Sequence, residues 1–235
     1  MEAGLFDRIA PVYDRMNRIL SLGMDLRWRR VAACAAAALR TERGAGAPAD
    51  ILDLAAGTGD FAIALARRFP SARVCCADIS APMLEIARRK AAAAGMAGRF
   101  SFRTSPADAL EPFAGRFDIV SCAFGFRNFP SPRAALAGCA RALKPGGMLA
   151  VLEFTRPRCA AARLGLSAWL RAASLAAGRR HGADYAYLRR SIMSTFTARE
   201  FAAMAESVLG GKVSSRLLFP ACRLFLAQAA APQKQ

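Results

Sequence analysis

The 235-residue chain predicts an α/β fold: one mostly parallel sheet with helices on both faces. Three observations carry that prediction. Short apolar runs recur between residues 51 and 154, amphipathic helical stretches separate them, and glycine, proline and capping residues punctuate the joins. This βαβα rhythm places successive strands parallel, because each crossover is long enough to hold a helix. At 54% apolar residues the chain has enough core-forming side chains for one sizeable hydrophobic core.

The elements follow in order. Residues 5–40 read as helix with a turn at Ser21-Leu22-Gly23, and 41–49, "TERGAGAPA", as a linker. Strands are predicted over Ile51–Ala55, Arg73–Ala77, Arg99–Arg103, Phe117–Cys122 and Met148–Phe154, with helices opening near Asp60, Ala81 and Ser131. Ser131-Pro132 is an N-cap followed by proline at the first helical position, and Lys144-Pro145-Gly146-Gly147 is a stop and turn. Residues 158–180 form a basic amphipathic helix, and the Thr197–Glu200 capping box opens another. Lys212–Phe219 and Arg223–Ala227 pair as an antiparallel hairpin that closes the sheet. The expected organisation is one domain over 1–235, with a helical cap at 1–45, a ligand-binding core at 50–155 and acceptor-side elements at 156–230.

Composition narrows the setting. Seven scattered cysteines without a C-x-x-C pair support neither a disulfide framework nor a zinc site, and no metal is expected. With no signal-like N-terminus and no uninterrupted apolar run of about 18 residues, a cytoplasmic location is expected. The formal charge of +17 invites nucleic acid or an anionic membrane. Its excess is nearly all arginine, spread along an alanine-rich chain rather than gathered in a run, so nucleic acid is not the expected partner.

The motif with chemistry is "ILDLAAGTGD". Gly57, Gly59 and Ala62 satisfy G-x-G-x-x-G/A, the dinucleotide fingerprint at a strand-to-helix turn. Asp60, next to the second glycine, is a poor neighbour for a pyrophosphate, and Asp53 adds another acid. Both suit a ligand carrying a sulfonium and an ammonium, which is S-adenosylmethionine. Asp78, at the end of the next strand, is spaced to accept from ribose hydroxyls whichever nucleoside is bound.

On these blocks the chain resembles the ubiquinone/menaquinone biosynthesis C-methyltransferases: "FDRIAPVYDRMNRILSLGMDLRWRR" (6–30), "ILDLAAGTGD" (51–60), "ADIS" with "ML" (77–84), "AFGFRNF" (123–129), "ALKPGGMLAVLEF" (142–154) and "DYAYLRRSI" (184–192). The resemblance implies a Rossmann-like class I methyltransferase with seven strands. It implies S-adenosylmethionine as methyl donor and, as acceptor, a ring carbon of a polyprenylated benzoquinol or naphthoquinol. Family cofactor positions map onto Thr58, Asp78 with Ile79, Pro106-Ala107 and Ala123. Pro106 stands where the family has Asp or Asn, with Asp108 nearby, and Ala123 where it often has serine. The C-terminal "LLFPACRLFLAQAA" (217–230) also departs from the pattern, so the acceptor is the part the resemblance fixes least.

For catalysis, Arg127 after the fourth strand faces the usual crevice and suits phenolate stabilisation, or else a salt bridge to a local acid. His181, the only histidine, has the pKa of a general base but sits in a glycine-flanked basic loop. Tyr185 and Tyr187 cannot both reach one substrate, and Tyr13 and Asn17 share a helical face as lid or packing residues. The helix at 158–180 suits either an interfacial role, with peripheral attachment at the inner face of the membrane, or ordinary packing. A homodimer or a complex of quinone-biosynthesis proteins is the assembly such an enzyme would enter. The rival readings are a class I methyltransferase for another small molecule, an RNA methyltransferase, a dehydrogenase, and a non-catalytic paralogue.

Overall fold

A computed structural model describes residues 3–42, 50–107, 109–176, 182–219 and 221–230. Its centre is a seven-stranded sheet of order β3-β2-β1-β4-β5-β7-β6. The strands are β1 (Asp50–Leu54), β2 (Arg73–Asp78), β3 (Phe100–Thr104), β4 (Phe117–Ala123), β5 (Leu143–Phe154), β6 (Val213–Phe219) and β7 (Cys222–Gln228). Strands β1 to β5 run parallel, while β7 is antiparallel to both β5 and β6, as the predicted terminal hairpin requires.

The helices are α1 (Ala3–Ser21), α2 (Met24–Glu42), α3 (Asp60–Arg68), α4 (Ala81–Ala93), α5 (Pro132–Ala142), α6 (Ala160–Ala176), α7 (Gly182–Ser194) and α8 (Ala198–Leu209). Ser80 and Ser131 cap α4 and α5 by accepting the backbone N–H three residues on, and Thr197 with Glu200 completes the capping box of α8. Helix α7 is an element the sequence did not announce: its start has no capping residue, and its paired tyrosines suit strand or helix. Part of the 41–49 linker and the end of the 158–180 helix lie outside the described residues.

Strand β5 begins at Leu143, earlier than the predicted Met148. Leu143 pairs with Phe117 and Met148 with Ile119, so Lys144–Gly147 bulges and rejoins the ladder. Gly146 at φ 72° makes the bulge, and a Cβ on Gly147 would lie 2.8 Å from the Lys144 carbonyl oxygen.

Alternating strand residues feed two cores. Leu52, Leu54, Val120 and Val151 pack beneath α5 and α8 with Phe201 and Phe225. Ile51, Val74, Ile119 and Ala150 pack on the other face beneath α2 and α3. There the alanines of α2 (Ala32, Ala33, Ala36, Ala37) are fully buried against Phe61 and Leu65, so alanine richness serves close helix approach. The chain leaves β1 toward β2 and β3 on one side, and β4 and β5 fill the other. The carboxyl ends of β1 and β4 therefore border the crevice where open α/β sheets bind ligands.

Gly59 makes that crevice possible from below. Its φ is 81°, and an added Cβ would meet the Ala87 Cβ of α4 at 2.9 Å. Gly59→Ala is expected to lower stability in chemical denaturation by about 2–4 kcal/mol, from backbone strain plus overpacking. Adding Ala87→Gly should recover the packing part and leave the strain part.

Candidate functional site

Two cavities open at the carboxyl ends of the strands and share Ala55 and Asp78 as a wall. The larger, about 190 Å³, is lined by Leu54, Ile79, Ser105, Pro106, Ala107, Phe129 and their neighbours. The smaller, about 30 Å³, is lined by Phe6, Tyr13, Gly57, Met83, Ala123, Phe124, Gly125 and Asn128. Of the residues the sequence proposed, Gly57, Asp78, Ile79, Pro106, Ala107 and Ala123 meet here.

Asp78 organises this wall. One carboxylate oxygen accepts the Gly57 N–H at 2.8 Å and the other the Ser80 N–H at 2.9 Å. Burial raises its pKa, and those backbone donors oppose the rise. Each oxygen keeps a further lone pair for a ligand hydroxyl.

Three amides of the glycine loop are already bonded internally. The Ala56 N–H donates to Ala77 O, Gly57 N–H to Asp78, and Gly59 N–H to Ala56 O. With these three engaged, the loop offers fewer free amides to a pyrophosphate. The engaged amides, rather than Asp60, disfavour a pyrophosphate. That carboxylate does not line either cavity; it pairs with Arg18 at 2.6 Å and with Lys90. Burial would raise its pKa, but the two cations hold it below the usual carboxylate range.

Three more proposed residues stand behind the cavities rather than on them. Thr58 Oγ1 donates to Asp14 at 2.6 Å and accepts from Lys90, which ties the loop to α1. Gly59 serves helix packing. Asp53 is buried inside β1, accepts a 2.6 Å hydrogen bond from Ser121 Oγ, and is pushed up to about 7 by burial.

The three catalytic candidates fare differently. Arg127 takes the salt-bridge alternative: Nη1 bonds Glu153 at 2.8 Å and the Phe124 carbonyl at 2.6 Å, and Nε bonds Ser191 at 3.3 Å. Glu153 is fully buried and also accepts the Arg127 N–H at 3.2 Å. The pair therefore pins the loop after β4 to β5 and α7, a positioning role. His181 lies outside the described residues, as does Asp108. Tyr185 falls in α7, and it is Tyr187 whose hydroxyl donates to Asn128 Oδ1, at 3.1 Å.

Some site features were not legible beforehand. Ala55 (φ 51°) and Phe124 (φ 61°) both adopt the left-handed region where side chains are strained, one at the end of β1 and one at the end of β4. A Cβ on Gly125 would lie 2.9 Å from Ala55 Cβ, so the two strand ends nearly touch. Helix α1 lies over this junction. Ser80 Oγ donates to Asp7 at 2.5 Å, Lys90 reaches Asp14 at 2.8 Å, and Tyr13 approaches within 3.8 Å of a Cβ built on Gly57. Burial raises the Tyr13 pKa, so its phenol stays protonated. Only the Tyr13/Asn17 spacing hinted at this lid.

The arrangement accepts a flat apolar ring in the larger cavity, hydroxyls at Asp78, and a compact polar group beside Gly57 and Ala123. Comparison with known proteins gives that geometry a family. A model described as the ubiE/COQ5 methyltransferase family matches residues 2–214. The demethylmenaquinone methyltransferase of Thermus thermophilus is 53% identical over 155 residues, covering 65% of this chain and 66% of the relative. That of Deinococcus radiodurans is 46% identical, covering 65% and 60%. The matched stretch thus spans less than two thirds of either relative. The ubiquinone/menaquinone biosynthesis C-methyltransferase UbiE of Geobacter sulfurreducens is 37% identical over 208 residues, 87% of this chain and 78% of the relative. Among solved structures, an O-methyltransferase family protein from Burkholderia thailandensis superposes with TM-score 0.62 at 17% identity, covering 97% of this chain and 59% of that one. A SAM-dependent methyltransferase from Aquifex aeolicus gives 0.57 at 16%, covering 81% and 88%. At such identities the likeness is one of fold.

Asp53 supplies a pH test. Its folded pKa of about 7 exceeds the unfolded value near 3.8, so the stability it contributes is full below about pH 4 and lost as pH rises through 7. Asp53→Asn should therefore match wild type near pH 4 and exceed its melting temperature at pH 8. A variant less stable than wild type at pH 8 would mean that Ser121 holds an ionised carboxylate.

Proposed function

Because the chain belongs to the ubiE/COQ5 methyltransferase family, we propose that it moves the methyl group of S-adenosylmethionine to a ring carbon of a polyprenylated benzoquinol or naphthoquinol. The observation that carries this is the pair of adjacent cavities with Asp78 in the shared wall. Their chemistry fits the donor: an apolar slot by Ile79, Pro106 and Ala107 for adenine, Asp78 for the ribose, and the recess by Gly57 and Ala123 for the methionine end. The internally bonded glycine loop argues against a nicotinamide dinucleotide and so against a dehydrogenase. When bound, the donor supplies an electrophilic methyl group.

The chain's own residues would do the rest by positioning and by charge. A ring carbon attacks well when its neighbouring hydroxyl is ionised or strongly hydrogen-bonded. Tyr13, protonated and facing the smaller cavity, is the donor we assign to that oxygen. Asn128, oriented by Tyr187, borders the same recess. Arg127 acts through the loop it pins. For the ring proton we propose His181, with Tyr185 of α7 as the other candidate near the acceptor. The names of the Thermus and Deinococcus relatives make a naphthoquinol the first acceptor to try.

Incubating the full chain with methyl-labelled S-adenosylmethionine and each reduced, demethylated quinol should yield labelled methylquinol. Transfer to neither quinol, with the donor bound, would point to another small-molecule acceptor. Asp78→Asn keeps one acceptor oxygen but sets an amide against the Gly57 N–H. It should raise the KM for S-adenosylmethionine about tenfold or more, since one buried polar mismatch is worth that much. An unchanged KM would remove Asp78 from the site.

A further inference from the structure

Leu22 is the third non-glycine residue in the left-handed region, at φ 51°, and it lies away from the cavities at the corner between α1 and α2. A branched apolar side chain is strained there, where asparagine or glycine would not be. Yet Leu22 is also 67% exposed, so packing does not account for it. Ile19 and Leu26 are exposed on either side of it. Among the described residues no large exposed hydrophobic falls within 50–155; the others are Leu164 and Trp169 on α6 and Leu217 on β6.

The corner is set in a field of arginine. Leu26 and Arg30 line a depression with Arg67, Lys90 and the ion-paired Asp60, and Arg30 also lines a second with Arg27 and Arg216. The nearby acids are neutralised by ion pairs. Asp25 pairs with Arg18 and Arg29, Asp60 with Arg18 and Lys90, and Asp14 with Lys90. Arg27, Arg30, Arg67 and Arg216 are left exposed. The corner also adjoins the cavities. Trp28, one turn beyond, lies 6.4 Å from Phe124, which lines the smaller one.

We propose that the α1–α2 corner is the surface by which this protein rests on an anionic phospholipid bilayer. Leu22, Leu26 and Ile19 enter the acyl boundary and Arg27, Arg30 and Arg216 meet the headgroups. Aliphatic tips among arginines suit lipid, whereas single-stranded nucleic-acid surfaces interleave their cations with aromatic stacking groups. The inference stands on this surface and not on the acceptor being a quinol. It places the docking element on the cap rather than on α6, whose Leu166 and Leu170 are buried with Ile192 and Ala221.

Co-sedimentation of the full chain with vesicles tests it, using phosphatidylcholine alone against phosphatidylcholine mixed with phosphatidylglycerol. Wild type should bind the anionic vesicles and lose them in high salt. Leu22→Asn relieves the backbone strain, so it should fold at least as well, and it should bind about tenfold more weakly from the loss of one buried leucine. Arg27→Glu with Arg30→Glu should abolish binding, and Leu164→Ser on α6 should leave it unchanged. No wild-type binding would overturn the proposal, as would loss with Leu164→Ser but not Leu22→Asn, or tighter binding to transfer RNA that Leu22→Asn does not alter. Methyl transfer to a water-soluble, short-tailed quinol should be equal in wild type and Leu22→Asn. Its absence in both counts against the catalytic reading alone.

Discussion

The constraint on which the site depends is the double hydrogen bond of the Asp78 carboxylate to the Gly57 and Ser80 amides. It fixes the glycine loop to the end of β2 on one side. On the other it fixes Ser80, which caps α4 by accepting the Met83 N–H and holds α1 by donating to Asp7. One buried acid thus sets the loop, the helix behind it and the lid above it. Because its oxygens face backbone donors that cannot move far, the same acid stays aligned with both cavities.

A second level of order comes from ion pairs that join elements distant in sequence. Arg18, Asp25, Arg29, Asp60, Lys90 and Asp14 connect α1, α2, α3 and α4. Arg127 and Glu153 join the loop after β4 to β5. Surface pairs of this kind contribute little to stability, but buried ones are costly to break because a lone charge is left behind. Their effect here is to hold strained backbone in place. Phe124 keeps its left-handed conformation with its carbonyl bonded by Arg127, its ring against Trp28 and stacked at 4.8 Å on Phe154.

Much of the fold was legible because its signals are local. Apolar runs marked the strands, Ser131 and Thr197 marked helix starts, and Asp78 announced itself by its distance from the glycines. The site was legible only in part. Asp60 looked available beside Gly59, and nothing near it in sequence says that Arg18 and Lys90, 42 and 30 residues away, neutralise it. Arg127 looked catalytic for the same reason, since Glu153 is 26 residues on. The strain at Ala55 and Phe124 was hidden altogether, because those types give no hint of a positive φ. Tertiary pairing and backbone strain are what a linear pattern does not encode.

The central claim is that this crevice takes a methyl donor and not a dinucleotide. Calorimetric titration of the full chain with S-adenosylmethionine, and separately with NADH, tests it most directly. The account predicts saturable binding of S-adenosylmethionine with one site per chain and no heat from NADH beyond dilution. Tight binding of NADH would contradict it, because the amides of Ala56, Gly57 and Gly59 would then have left their internal acceptors. A folded protein that binds neither would contradict the assignment of the cavities themselves and leave a non-catalytic member of the family.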